Sequence, residues 1–142
     1  MKNHLVIASH GSLAEGMLSA IKMIAGNQEN VSAYGLDNYQ TPTNILNIVK
    51  ELIDKNPEDK FILCCDIACG SIHNALVALC GLENVTLVSG INLGLILTLV
   101  LSKPEDLTKE KILVTIEEAK NGLVYFDRET ILQSELKEDG LW

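Results

Sequence analysis

The sequence predicts an α/β fold: an open, mostly parallel β-sheet with helices on both faces. Three observations predict it. Apolar residues come in two kinds of segment, short unbroken runs and longer stretches with a 3.6-residue period. The short runs, such as Leu5-Val6-Ile7-Ala8 and Phe61-Ile62-Leu63-Cys64-Cys65, are apolar at every position, as strands covered on both sides are. The two kinds alternate as β-α-β-α-β-α-β-α-α, the order that crossover helices impose on parallel strands.

Each element has its own local reason. Residues 4–9 read as the first strand. Ser12 then opens S-x-x-E with Glu15, a capping-box pattern, and Leu13, Met17, Leu18, Ile21 and Ile24 follow at helical spacing up to Gly26, a C-cap glycine. Residues 31–36 are expected as a second strand. Thr41-Pro42 starts the next helix, because proline is preorganised for the first turn. Its apolar stripe is Ile45, Ile48, Val49, Leu52 and Ile53, and Pro57 closes the unit. "KFILCCD" is the third strand, and "GSIHNALVALCG" a helix capped near Ser71 and stopped at Gly81. "VTLVSG" is the fourth strand, and "NLGLILTLVLSK" a helix ended by Pro104. Thr108 to Asn121 is a further helix with Gly122 at its end; a short strand and a polar terminus are expected in the tail.

The bulk composition narrows the function. The chain has 142 residues, the size of one ordinary domain, and no repeat or linker divides residues 1–142. Apolar residues make up 47% and charged residues 21%, which is enough for a packed core and too apolar for a disordered chain. The net charge of −8 disfavours nucleic acid and anionic lipid, which both need a positive field, and suits a basic protein partner. No basic segment precedes an apolar one at the start, so no signal peptide is read and a cytoplasmic protein is expected. The longest apolar segment, "VSGINLGLILTLVLSK", is too short to span a bilayer and is interrupted by Asn92 and Gly94. Cys64, Cys65, Cys69 and Cys80 form no C-x-x-C pair and read as free thiols. "GSLAEGML" lacks the Lys-Ser/Thr of a phosphate loop, and G-x-G-x-x-G is absent, so neither nucleotide fingerprint is supported.

In open α/β sheets ligands gather at the carboxyl ends of the strands, where the strand order reverses. Three strand ends carry polar residues: Ser9-His10-Gly11-Ser12, then Asp66 with Cys69-Gly70-Ser71, then Ser89-Gly90 with Asn92. If strands one and three are neighbours, His10 and Asp66 meet across the crevice. A carboxylate that accepts the proton of one ring nitrogen sets the tautomer and leaves the other nitrogen as a nucleophile. The helix after Ser12 offers free backbone N–H groups to an anion such as a phosphoryl group, and Ser71 adds a hydroxyl.

Plainer roles compete with these. A histidine at a strand end is usually a satisfied structural group, Asp66 can cap its own loop, and Ser12 and Ser71 are helix caps in any case. His73 falls in the first turn of its helix, near the crevice; His4 lies at the opposite end of the sheet. The spacing of Asp66, Cys69 and His73 matches no zinc pattern, so no metal is assigned.

At these residues the sequence resembles a known family. "VIASHGSLAEGMLSAIKMIAGNQENVSAYGL" is similar to the opening of the mannose-family EIIA proteins of the bacterial phosphoenolpyruvate-dependent sugar phosphotransferase system. "CCDIACGSIHNAL" resembles that family's Asp-x-x-Gly-Gly-Ser-Pro-x-Asn signature, and "LVSGINLGLIL" its Gly-x-Asn-(Leu/Ile)-Pro-Met-Leu signature. The resemblance covers roughly residues 3–122 and leaves residues 123–142 as a tail. It implies that His10 accepts a phosphoryl group from the phosphocarrier protein HPr and passes it to EIIB, which serves the membrane subunits EIIC and EIID. It implies Asp66 as the orienting aspartate, Ser71 as the signature serine and Asn74 as the signature asparagine; beside them Gly11, Ser12 and Gly70 are candidates to surround the phosphoryl group, and His73 is a candidate behind it. No cofactor is expected, because a phosphoramidate donor is already activated. The family's sheet carries an antiparallel edge strand, and its members usually form homodimers. Cys69 stands in place of a signature glycine, Ile72 of a proline, Gly94 of a proline and Leu95 of a methionine, and His73 is an added imidazole. A loop that needs positive φ at Cys69 would be strained by its Cβ.

Two rival functions remain in view. The phosphocarrier subunit of a dihydroxyacetone kinase resembles this fold and also uses an early histidine, but "DIACGSIHN" fits the sugar family better. A non-catalytic EIIA-like regulatory module would accept the phosphoryl group on His10 and pass it no further.

Overall fold

The computed structural model describes residues 1–141, with side chains described for residues 1–136. In chain order the elements are β1 (Asn3–Ser9), α1 (Leu13–Ala25), β2 (Val31–Gly35), α2 (Leu36–Tyr39), α3 (Pro42–Lys55), β3 (Lys60–Cys65), α4 (Ser71–Leu76), β4 (Val85–Ser89), α5 (Leu93–Leu101), α6 (Lys109–Lys120) and α7 (Arg128–Leu141). A 3₁₀ turn over Val77–Gly81 continues α4, and another over Pro104–Asp106 follows α5. The four strands form one sheet in the order β2-β1-β3-β4, all pairs parallel. The chain goes from β1 outward to β2, then returns to β3 on the other side of β1. The reversal falls between β1 and β3, where a crevice opens at their carboxyl ends.

The uninterrupted apolar strands are explained by helices on both faces. Leu5, Ile7, Ile62, Cys64 and Val88 point to one side and pack against Ala14 and Ile21 of α1, Leu95, Ile96 and Leu99 of α5, and Ile112 of α6. Val6, Ala8, Phe61, Leu63, Cys65 and Val85 point to the other and pack against Ile45, Val49 and Ile53 of α3 and Ile72 and Leu76 of α4. Successive strand residues thus serve opposite layers, as the two-residue period of a strand requires. Cys64 and Cys65 are both fully buried and behave as small apolar residues; burial pushes the Cys65 thiol up to about 12, helped by the neighbouring Asp66 charge.

Two local expectations give way. Ser12 and Glu15 form no capping box. The Ser12 side chain makes no cap bond, while the Ser9 hydroxyl accepts the N–H of Ala14 at 2.7 Å. Glu15 instead reaches the end of β2, where its Oε1 accepts the N–H of Gly35 at 2.6 Å. For the Glu15 carboxylate, a tertiary N–H donor within reach has outcompeted the local one. In the tail, residues 123–127 form no strand, and no antiparallel edge strand is present among the described residues. The chain turns into α7 at Asp127, whose Oδ1 accepts the N–H of Thr130 at 2.9 Å while the Thr130 hydroxyl accepts the N–H of Asp127 at 2.8 Å. This reciprocal cap starts a helix where a strand and a polar terminus are expected from the sequence.

Candidate active site at the carboxyl ends of β1 and β3

β1 and β3 pair from Asn3↔Lys60 through Ala8↔Cys65. In that register the residues just beyond the paired ends, His10 and Asp66, come together. One carboxylate oxygen, Asp66 Oδ2, accepts the backbone N–H of His10 at 2.9 Å and lies 3.0 Å from His10 Nδ1. Asp66 Oδ1 accepts the N–H of Ile67 at 3.0 Å, which keeps the carboxylate from turning. Asp66 is nearly enclosed, with 8% of its side chain exposed, whereas the His10 ring is 46% exposed. Burial alone raises the Asp66 carboxyl, but the backbone N–H of His10, its imidazole and the carboxylate's own loop together hold it below the usual carboxylate range. The aspartate is therefore ionised and acceptor-only, so Nδ1 carries the ring proton and Nε2 carries the lone pair.

Beside the ring edge that carries Nε2 stands the start of α4. The Ser71 hydroxyl, in the first turn of α4, lies 3.5 Å from Nε2. Gly70 is tucked beside the imidazole: a Cβ there would sit 3.5 Å from His10 Cε1. On the other flank Gly11 turns the chain from β1 into α1 in a left-handed conformation, φ +52°. The carbonyl of Gly11 accepts the N–H of Asp37, and Ser12 is exposed at the head of α1. Gly35 closes this corner, since a Cβ on it would run into the Gly11 carbonyl oxygen and the Glu15 carboxylate.

The remaining sequence candidates separate. Asn74 follows Ser71 on α4, and its amide donates to the Cys69 carbonyl at 3.4 Å, bracing the loop from behind. Cys69 has φ +60°, so the strain expected from a Cβ at that position is present. His73 turns away from His10: its Nδ1 pairs with the Ser89 hydroxyl of β4 at 2.5 Å. No local pattern signals this contact, because it joins positions that only sheet order makes neighbours. His4 is at the far end of the sheet, stacked on Phe61 and paired with Asp59 at 2.8 Å. Among the described residues no group of three metal-ligating side chains is close enough to hold an ion.

An ionised aspartate bonded to a half-exposed imidazole, at the switch point of a doubly covered parallel sheet, defines a class: α/β proteins with a carboxylate-paired histidine in the crevice and no nucleotide loop. Comparison with known proteins narrows the class. Residues 4–116 match the family model described as the PTS system fructose IIA component, EIIA-man. The chain is 30% identical over 98 residues to the sorbose-specific EIIA component of the phosphotransferase system of Klebsiella pneumoniae, a stretch covering 68% of this chain and 72% of that one. A crystal structure from K. pneumoniae, described as a phosphoenolpyruvate-dependent sugar phosphotransferase system permease, superposes with a TM-score of 0.76 at 32% identity, over 92% of this chain and 95% of that one. The IIA protein associated with a fucose utilization operon of Streptococcus pneumoniae superposes with a TM-score of 0.70 at 26% identity, over 93% and 97%. The chain belongs to the mannose-family EIIA components of the sugar phosphotransferase system. As such it is a phosphocarrier, and the dihydroxyacetone kinase and purely regulatory readings are not favoured.

Proposed function

We propose that His10 carries the phosphoryl group, taking it from phospho-HPr and handing it to EIIB. The observation that supports this most is the His10–Asp66 pair, with Nδ1 held at 3.0 Å and Nε2 left open to solvent. In the forward step the Nε2 lone pair attacks phosphorus. The new N–P bond forms as the donor's N–P bond breaks, and the electron pair returns to the donor imidazole. The His10 ring gains positive charge as the bond forms, and the adjoining Asp66 carboxylate offsets it. The reverse displacement, with the EIIB histidine as nucleophile, releases the group. In-line transfer of this kind depends on positioning and charge stabilisation.

Ser71 at 3.5 Å from Nε2 is placed to donate to a phosphoryl oxygen once phosphorus is attached. Gly11 and Ser12, which lead from His10 into the 13-residue α1, would offer backbone N–H groups and the positive end of that helix to the phosphoryl oxygens. Gly70 keeps the wall beside the ring low. Exposed Leu13 and Ile67 form an apolar rim for the partner, and exposed Asp37 adds the negative charge a basic carrier would face. EIIC and EIID would be served indirectly, through EIIB. A cytoplasmic protein fits a chain in which, among the described residues, no helix is long and apolar enough to cross a membrane. A homodimer is also proposed. It is supported by the open outer edge of β4 and by the exposed run Leu123, Val124, Tyr125 and Phe126 that follows α6.

Incubation with radiolabelled phosphoenolpyruvate, Enzyme I and HPr, followed by EIIB, tests the relay. Label is expected on the wild-type chain and then on EIIB, and none on His10→Ala. Label that stays on the chain contradicts onward transfer, and label on His10→Ala contradicts the assignment of His10.

A further inference from the structure

We propose that His73 is a positioning residue for this transfer: by clasping Ser89 at the end of β4 it holds the first turn of α4, and with it Ser71, against His10. The proposal rests on the phosphocarrier reading of His10 and deepens it. Ser71 cannot be placed by the loop that precedes it. Ile67, Ala68 and Cys69 are all exposed, Cys69 is in a strained left-handed conformation, and the turn is closed by two long contacts, the Gly70 N–H to the Ile67 carbonyl and the Asn74 side-chain amide to the Cys69 carbonyl, each 3.4 Å. The placement must come from α4 itself, which has only six residues, too few to be stable without packing.

Two side chains anchor that short helix near its start. Ile72, 1% exposed, enters the core layer shared with α3. His73, the next residue, reaches the Ser89 hydroxyl at 2.5 Å. Ser89 is the last residue of β4 and lies in register with Cys65, which precedes Asp66. The clasp therefore ties the element that carries Ser71 to the sheet end that carries Asp66. Without it α4 keeps its apolar anchor but is free to rock about it, and the 3.5 Å approach of Ser71 to Nε2 loosens. A neutral His73 satisfies the clasp, because its Nδ1 can accept the serine proton while the hydroxyl oxygen keeps its own acceptor capacity.

The test is a double-mutant cycle on the rate of phosphoryl transfer from phospho-HPr, run well below the melting temperature of every variant. His73→Ala and Ser89→Ala are each expected to slow transfer roughly tenfold, the low end for a residue that orients a reacting group. The double variant should be no slower than either single one, and His73→Asn, which keeps a hydrogen-bonding group at the δ position, should restore most of the rate. In a Ser71→Ala background His73→Ala should slow transfer no further, an outcome that a general loss of stability would not give. Wild-type rates in His73→Ala, or effects of His73→Ala and Ser71→Ala that multiply, overturn the proposal. If His73→Ala does not fold, Ser89→Ala carries the same cycle. A wild-type chain that takes no phosphoryl group at all overturns the reading of His10 beneath it; a wild-type chain that is labelled, with unaffected variants, overturns only the role of His73.

Discussion

Asp66 holds His10 twice with one oxygen, taking the backbone N–H at 2.9 Å and facing ring Nδ1 at 3.0 Å. The first contact sets where the residue sits and the second sets how its ring is turned. Both depend on β1 and β3 being adjacent, so the orientation of the His10 ring is a property of sheet order as much as of either side chain.

Replacing Asp66 with Asn keeps the shape of the site but removes the charge that sets the tautomer and offsets the imidazolium. Transfer from phospho-HPr is expected to slow by about 10- to 100-fold, measured as the rate of label appearance. A rate within error of wild type would contradict the orienting role.

The same carboxylate makes a pH-dependent contribution to stability. Its folded-state value lies below its unfolded value of about 3.9, so the contribution is fully present above that pH and is lost as pH falls through the folded value. Urea unfolding of wild type and Asp66→Asn from pH 7 to pH 3 should show a constant difference at the upper end that shrinks below about pH 4. A difference that widens on acidification would contradict the sign.

Ser9 and Ser12 should exchange the roles that the sequence suggests for them. Ser9→Ala removes the acceptor of the buried Ala14 N–H and is expected to cost about 1–2 kcal/mol in chemical denaturation. Ser12→Ala removes no cap bond and should leave stability unchanged. Equal losses would contradict the capping seen here.

Two backbone positions give opposite expectations. Cys69→Gly relieves a left-handed residue with φ +60° and should raise stability by about 0.5–1 kcal/mol, after the extra flexibility of glycine in the unfolded chain is deducted. Gly35→Ala drives a Cβ into the Gly11 carbonyl and the Glu15 carboxylate, and should lower stability by about 1–3 kcal/mol while slowing transfer, because Gly11 directly follows His10 in the turn that leads into α1. Denaturation midpoints with the reverse order would contradict both readings.

The strands were legible in the sequence because burial on both faces leaves no polar position in "LVIA" or "FILCC", and helices over both faces follow from that alone. His10 and Asp66 were legible as a pair only conditionally, since their meeting requires a strand order that no local pattern encodes. The Ser12-Glu15 pattern misled because a capping box is a local rule, and Glu15 found a backbone donor on β2. The short α2 and the helical tail were not legible. α2 spans less than the helical period needs to show itself, and α7 carries Ile131, Leu132 and Leu136 exposed, with no buried stripe among its described side chains, residues 128–136. The His73–Ser89 contact joins two polar residues whose separate surroundings give neither away.

The most direct test is nitrogen and phosphorus NMR of the chain after phosphorylation by phospho-HPr. With Nδ1 bonded to Asp66, phosphorus is predicted on Nε2 of His10, seen as a phosphorus–nitrogen coupling to that atom and a proton retained on Nδ1. Phosphorus on Nδ1, or on any residue other than His10, would contradict the account.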